Sequence, residues 1–175
     1  MWIFGYGSLI WRPGFDYDER RWGYIEGLTR RFWQGSPDHR GLPESPGRVA
    51  TIIDDPGQVC WGMVYRLAES EAAKIVSRLD VREQGGYTQR ALAVHTGEGS
   101  VTATVYAAGP SNPHWLGPAS LPEMVAQIST CRGPSGANAE YLLELARSLR
   151  QMGTDDPHVF ELERALKALP PKGPA

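Results

Sequence analysis

The chain has 175 residues, of which 41% are hydrophobic, and carries a formal net charge of −2. That length and apolar content suit one compact domain with a buried interior, expected over residues 1–169 with a flexible tail at 170–175. The near-balanced charge excludes a broad electrostatic attraction to nucleic acid or to an anionic membrane surface.

The chain opens on the apolar run Met1-Trp2-Ile3-Phe4, which breaks at Gly5-Tyr6-Gly7-Ser8 and resumes at Leu9-Ile10. This spacing predicts a buried strand that ends in a tight turn. Gly5 and Gly7 permit positive φ and close backbone approach, so the N–H groups of Tyr6, Gly7 and Ser8 can converge on a carboxylate or phosphate. Three other readings stand beside this one. A dinucleotide fingerprint lacks its third glycine, because Ile10 fills that place and Trp11-Arg12-Pro13-Gly14 breaks the chain where the helix should begin. Ser8 as a nucleophile lacks the flanking pattern of a hydrolase elbow. A bulged strand end needs no ligand at all.

Five further segments carry the two-residue period of half-buried strands: Gly23 to Phe32, Arg48 to Ile53, Cys60 to Leu67, Thr88 to Val94 and Val101 to Ala107. Turn-rich runs such as Asp54-Asp55-Pro56-Gly57 and Gly97-Glu98-Gly99-Ser100 separate them. The pairs Arg20-Arg21 and Arg30-Arg31 read as solvated strand faces. Gly35 to Gly47 is too rich in proline and glycine for regular structure and reads as an ordered loop. There Asp38, His39, Arg40 and the following Arg48 are candidates for a lid or pocket wall, or else belong to a plain solvent loop.

Helices are expected at four places. Ser70 caps the first, whose apolar face is Ala72, Ile75, Val76 and Leu79 and which ends near Gly85-Gly86. Ser120 and Glu123 have capping-box spacing ahead of a helix from Leu121 to Thr130. Asn138 or Ser135 caps the third, with the stripe Leu142, Leu145, Ala146 and Leu149, and Gly153 stops it. Asp156-Pro157 starts the last, which packs on Leu162, Ala165, Leu166 and Leu169 before Pro170-Pro171. Short strands with few crossover helices predict an α+β fold: a small β-barrel of about six strands, largely antiparallel, with flanking helices.

The two cysteines, Cys60 and Cys131, allow at most one bridge, which argues against a disulfide-stapled secreted scaffold and for the reducing cytoplasm. His39, His95, His114 and His158 lack metal-ligand spacing and read as loop or surface residues, so no metal is expected. There is no apolar run of membrane-spanning length and no secretory signal, so the protein is expected to be soluble, with no membrane partner and no obligate protein partner.

The second concentration of chemistry is Asp80-Val81-Arg82-Glu83-Gln84-Gly85-Gly86-Tyr87. Taken alone, Glu83 fits an exposed residue at a helix C-cap. The conjunction of this segment with the opening turn, with Gly35-Ser36-x-Asp38-His39-Arg40-Gly41 and Pro46-Gly47-Arg48-Val49, and with Gly133-Pro134-Ser135-Gly136 and Glu140-Tyr141-Leu142 resembles the ChaC family of γ-glutamylcyclotransferases, in the branch similar to glutathione-specific degrading enzymes. Leu42 departs from the small polar residue common in that family's Asp-His-Arg-Gly-x-Pro loop.

That resemblance implies a small mixed α+β barrel and the cleavage of glutathione into 5-oxoproline and cysteinylglycine with no cofactor. Glu83 would be the catalytic acid/base, and Ile3, Phe4, Gly5, Tyr6, Gly7 and Ser8, with Leu9 beside them, the substrate-binding turn. Arg48 would neutralise the glycyl carboxylate or brace its loop. Tyr87 and Tyr141 would line the pocket, the alternative being half-buried packing residues with wet hydroxyls. Two rival functions remain: a cyclotransferase for other γ-glutamyl amino acids or amines, and a non-catalytic regulatory protein that keeps the anion-binding turn.

Overall fold

Five strands close into a barrel in the order β1-β3-β2-β4-β5. The computed structural model describes residues 1–82 and 86–170. The strands are β1 (Trp2–Gly5), β2 (Glu19–Ser36), β3 (Gly47–Arg66), β4 (Thr88–Thr96) and β5 (Gly99–Ala107); a 3-10 turn spans Ser8–Ile10. α1 (Glu69–Arg82) follows β3, and α2 (Leu121–Thr130), the two-residue strands β6 (Arg132–Gly133) and β7 (Gly136–Ala137), α3 (Asn138–Gln151) and α4 (Pro157–Lys167) complete the chain.

The barrel closes through β1, which is antiparallel to β3 and parallel to β5 at Ile3 and Thr104. One parallel pairing therefore sits in a sheet expected to be antiparallel. The six expected strand segments become five because Arg48 to Ile53 and Cys60 to Leu67 belong to one strand. Asp54-Asp55-Pro56-Gly57 does not reverse the chain. Between the pairs Leu28↔Asp54 and Glu26↔Val59, the residues from Asp55 to Gln58 stand against Gly27 alone. The run is absorbed as a wide bulge, with Gly27 at φ 73 and Gly57 at φ 88 supplying the backbone that side chains resist.

A second irregularity shapes the site. Arg31 pairs with Thr51 and Gln34 with Val49, so Phe32 and Trp33 together face the single residue Ala50. Four of the backbone groups at this bulge find partners elsewhere in the fold. The Phe32 N–H donates to His158 Nε2 at 3.0 Å, and its carbonyl accepts from Arg48 Nη1 at 3.0 Å. The Trp33 carbonyl accepts from the N–H groups of Leu116 and Gly117, and the Ala50 N–H donates to the Tyr141 hydroxyl at 3.3 Å. Buried backbone groups have to be paired, and here side chains of α3, α4 and β3 do what a neighbouring strand would do.

The core is continuous from the barrel interior (Phe4, Val64, Val94, Val105) to the helical layer (Ile128, Leu142, Leu145, Leu149, Leu162). A smaller cluster of Ile3, Leu67, Ile75, Leu79 and Tyr106 seats α1. Three expected caps meet different outcomes. Ser120 and Glu123 form the reciprocal capping box at α2. At α1 the helix begins at Glu69, and the Ala68 carbonyl accepts the first N–H bonds, so Ser70 lies inside the helix. At α3 no side chain caps, because Asn138 turns inward: Oδ1 accepts from Arg48 N–H at 2.7 Å and Nδ2 donates to the Arg48 carbonyl at 2.7 Å. Asn138 thereby acts as a one-residue strand partner for β3.

Cys60 and Cys131 are buried free thiols. Among the described residues no helix is long and apolar enough to cross a membrane.

Candidate active site

A cavity of about 620 Å³ opens at the end of the barrel where β1 runs out. Its first wall is the turn after Gly5, and Phe4, Gly5, Tyr6, Gly7, Ser8 and Leu9 all line it. The two glycines are required by space and not by backbone sign, since neither has positive φ. A Cβ on Gly5 would lie 2.5 Å from Leu9 Cβ, and one on Gly7 would lie 2.6 Å from the Tyr141 hydroxyl oxygen. The turn is therefore folded tightly onto both the 3-10 segment and α3. Ile10 N–H closes it by donating to the Gly7 carbonyl at 2.9 Å.

The turn is held from beneath by a residue expected to face solvent. Arg30 is only 1% exposed. Its Nε donates to the Tyr6 carbonyl at 2.8 Å, and its other nitrogens reach the Trp61 carbonyl and the Asp156 carboxylate. Asp156 uses its second oxygen to accept from Val159 N–H at 3.1 Å, capping α4. Meanwhile the Tyr6 hydroxyl donates to the Tyr106 carbonyl at 2.6 Å. Both ends of Tyr6 are thus fixed.

The second wall comes from the loop after β2 and from the β6–β7 hairpin. Arg40 is buried, its backbone N–H donating to Ser36 Oγ at 3.0 Å. Nη1 of the same residue donates to the Ala137 carbonyl at 3.0 Å and to Glu140 Oε2 at 3.1 Å. The guanidinium carbon lies 5.7 Å from the centre of the Tyr141 ring. His39 Nδ1 meets Ser135 Oγ at 3.1 Å. The expected loop is therefore pinned to the C-terminal third of the chain, and Asp38, His39 and Arg40 all line the cavity.

Tyr141 joins the two walls. It is buried and stands edge-on to Trp11 and Phe32, with centroids at 5.3 and 5.8 Å. Tyr87, half-buried, lines the cavity from the segment before β4.

Two of the expected binding residues are elsewhere. Ile3 is wholly buried in the cluster beneath α1 and does not line the cavity. Arg48 also lies outside it: Nε donates to Gln127 Oε1 at 2.7 Å, and Nη1 donates to the carbonyls of Phe32 and Gly117, each at 3.0 Å. Of the two roles considered for Arg48, this geometry is that of a brace. Glu83 lies outside the described residues.

Several lining residues escaped the sequence reading: Gln34, Ser36, Tyr106, His114 and Ser135. Gln34 carried a faint signal, as a polar residue that ends the apolar run Phe32-Trp33 just before the loop, and Ser36 and Ser135 stood in the family motifs without a role. Tyr106 was masked by the strand alternation around it, and His114 by a stretch with no periodicity. His158, expected at the surface, lies in α4 with its ring turned to Phe32. Burial is the main reason its pKa falls to about 4, with Arg31 adding to the shift, so the ring is a neutral acceptor at neutral pH.

Residues 1–169 match the family described as ChaC-like protein. The chain is 46% identical to glutathione-specific gamma-glutamylcyclotransferase 1 of Danio rerio, over 96% of this chain and 89% of that protein. It is 40% identical to the glutathione-specific gamma-glutamylcyclotransferase of Schizosaccharomyces pombe, over 95% of this chain and 92% of the other. Among solved structures, the selenomethionine-labelled gamma-glutamyl cyclotransferase specific to glutathione from yeast matches with a TM-score of 0.90 at 32% identity, covering 95% of each chain.

Proposed function

This chain belongs to the ChaC-like family, and we propose that it is a glutathione-specific γ-glutamylcyclotransferase, a lyase that releases 5-oxoproline and cysteinylglycine. The observation that carries the reading is the turn from Phe4 to Leu9, which forms a wall of a cavity large enough for a tripeptide and is clamped at both ends of Tyr6.

The substrate carries its own nucleophile. Its α-amine attacks the γ-carbonyl carbon, a C–N bond forms to close a five-membered ring, and the bond to the cysteinyl nitrogen breaks. No water is consumed. The protein has to hold the γ-glutamyl arm folded back on itself, and such alignment contributes on the order of 7–11 kcal/mol in intramolecular reactions. We assign that grip to the Gly5–Leu9 turn, which lines the cavity. Arg40, a buried cation that lines the cavity beside Glu140, suits the glycyl carboxylate better than Arg48, which lies outside it.

The proton balance needs one group. The α-ammonium sheds two protons on its way to the lactam N–H, one before attack and one as the C–N bond forms, and the departing cysteinyl nitrogen takes up two to leave as an ammonium. A carboxylate within reach of both nitrogens can serve as acceptor and then as donor. Glu83 is assigned to this role, supported by Tyr87, four residues on, which lines the cavity. Residues 1–169 are taken as the catalytic unit. Buried free thiols at Cys60 and Cys131 support the cytoplasm as its location.

Purified protein incubated with glutathione and a chelator is expected to release equimolar 5-oxoproline and cysteinylglycine. Glutathione bound without product would identify a binding protein instead. Faster turnover of γ-glutamyl amino acids or amines would move the specificity to the broader cyclotransferase reading.

A further inference from the structure

Gln34 stands where β2 resumes pairing after the Phe32–Trp33 bulge, opposite Val49, and it is 1% exposed. The orientation of its side-chain amide follows from its neighbours. The His114 N–H donates to Asn112 Oδ1 at 2.8 Å, which makes that oxygen an acceptor. Gln34 Nε2 donates to the same oxygen at 3.0 Å and to the Gly35 carbonyl at 3.2 Å. Both partners are acceptors, so the nitrogen must face them and the oxygen must face away. Gln34 Oε1 is left as a buried acceptor with no hydrogen-bond partner, the one such side-chain atom among the described residues.

An acceptor buried in this way costs about 1–3 kcal/mol unless something donates to it. Gln34 lines the cavity. Around it the walls hold cationic or hydroxyl donors: Arg40 in the loop, and Tyr6, whose hydroxyl is committed to the Tyr106 carbonyl. Of these, Arg40 suits a carboxylate of a γ-glutamyl peptide, whereas the acceptors in the lining for its N–H groups include the exposed Asp38 carboxylate and the buried Gln34 Oε1. Resting on the reading of this cavity as a glutathione site, the geometry points to Gln34 as a further substrate-binding residue, whose Oε1 accepts a hydrogen bond from a substrate N–H, either the α-ammonium or a peptide N–H.

The test separates the acceptor from the structural bridge made by Nε2. Gln34→Met removes both at similar length. Gln34→Glu keeps an oxygen acceptor and loses the donors. KM for glutathione is expected to rise about tenfold or more in Gln34→Met, the size of one charge-assisted hydrogen bond, and to recover at least threefold of that loss in Gln34→Glu. KM within twofold of the parent in Gln34→Met overturns the inference. So does a Gln34→Glu protein as impaired as Gln34→Met with an equally lowered unfolding midpoint, since the Nε2 bridge would then be the whole role.

If Gln34→Met does not fold, the unsubstituted protein decides. The 13Cδ resonance of Gln34 is followed during titration with L-glutamate, which keeps the α-ammonium, and with glutaryl-cysteinylglycine, which keeps the peptide N–H groups but has no amine to cyclise. A downfield shift with one of them identifies the donor, and no shift with either overturns the inference. Should the parent release no 5-oxoproline, the reading of the reaction fails separately, and calorimetric binding of glutathione to the same two variants still tests Gln34.

Discussion

The Arg30 guanidinium donates to the Tyr6 carbonyl at 2.8 Å while its far side pairs with Asp156 at the start of α4. A cation sealed inside the barrel wall thus joins the first turn of the chain to its last helix. Arg30→Met is expected to lower stability by about 3–5 kcal/mol, because it strands the Asp156 carboxylate. It should also lower kcat/KM for glutathione about 100-fold through a misplaced turn. Arg30→Lys restores charge but not three diverging donors, so it should recover part of the stability and little of the activity. Urea unfolding alongside 5-oxoproline kinetics separates the two effects.

Gly7 is held to glycine by the Tyr141 hydroxyl, which a Cβ would approach to 2.6 Å. Tyr141 is buried among Trp11 and Phe32 and accepts the Ala50 N–H, so it has little room to retreat. Gly7→Ala should cost about 1–3 kcal/mol as an overpacked contact. Adding Tyr141→Phe, which deletes the offending oxygen, should return some of that stability even though it takes the acceptor from the Ala50 N–H. A thermal melt of the double variant no higher than that of Gly7→Ala would show that the contact is not the cause.

Glu83→Gln is expected to keep the unfolding midpoint and the affinity for glutathione while kcat falls roughly 10²–10⁴-fold, the usual share of a general acid/base. Single-turnover measurement is the check. Turnover near the parent rate would remove Glu83 from the reaction.

His158 makes stability depend on pH. Its neutral Nε2 accepts the Phe32 N–H, and in the fold its pKa lies at about 4, below the ~6.5 of an unfolded chain. A depressed histidine contributes its stabilisation fully above the unfolded value and loses it as pH falls through the window from about 6.5 to about 4. The loss should reach about 3 kcal/mol across that window. His158→Gln retains an acceptor without titrating, so the difference between parent and variant in urea midpoint should shrink as the pH is lowered. A constant difference would assign the acid sensitivity to carboxylates instead.

Much of the barrel was legible because alternation along Val101 to Ala107 and the capping box at Ser120 are local signals. The opening turn, the Asp38-His39-Arg40 loop and Tyr141 were legible as a conjunction, since separate segments carried matching chemistry. What stayed hidden is non-local. Nothing next to Arg30 reveals that Asp156, Trp61 and Tyr6 converge on it, so a charged pair in a strand reads as a wet face. Local sequence left Arg48 open between an anion ligand and a loop brace and offered Asn138 as a helix cap, for the same reason: the partners that make each of them satisfy groups around a strand are distant in the chain. The Asp54-to-Gly57 run has the residues of a turn, but β2 has a matching glycine, and pairing on both sides carries the strand straight through.

The chain of contacts from Tyr6 through Arg30 to Asp156 has a bearing on synthesis. Translation delivers the Tyr6 turn some 150 residues before the carboxylate that anchors its clamp, counting from Tyr6 to Asp156 in the sequence. A nascent polypeptide still lacking that carboxylate holds an unneutralised guanidinium behind a loosely held turn. The clamp on the Tyr6 carbonyl is complete only once α4 has been made.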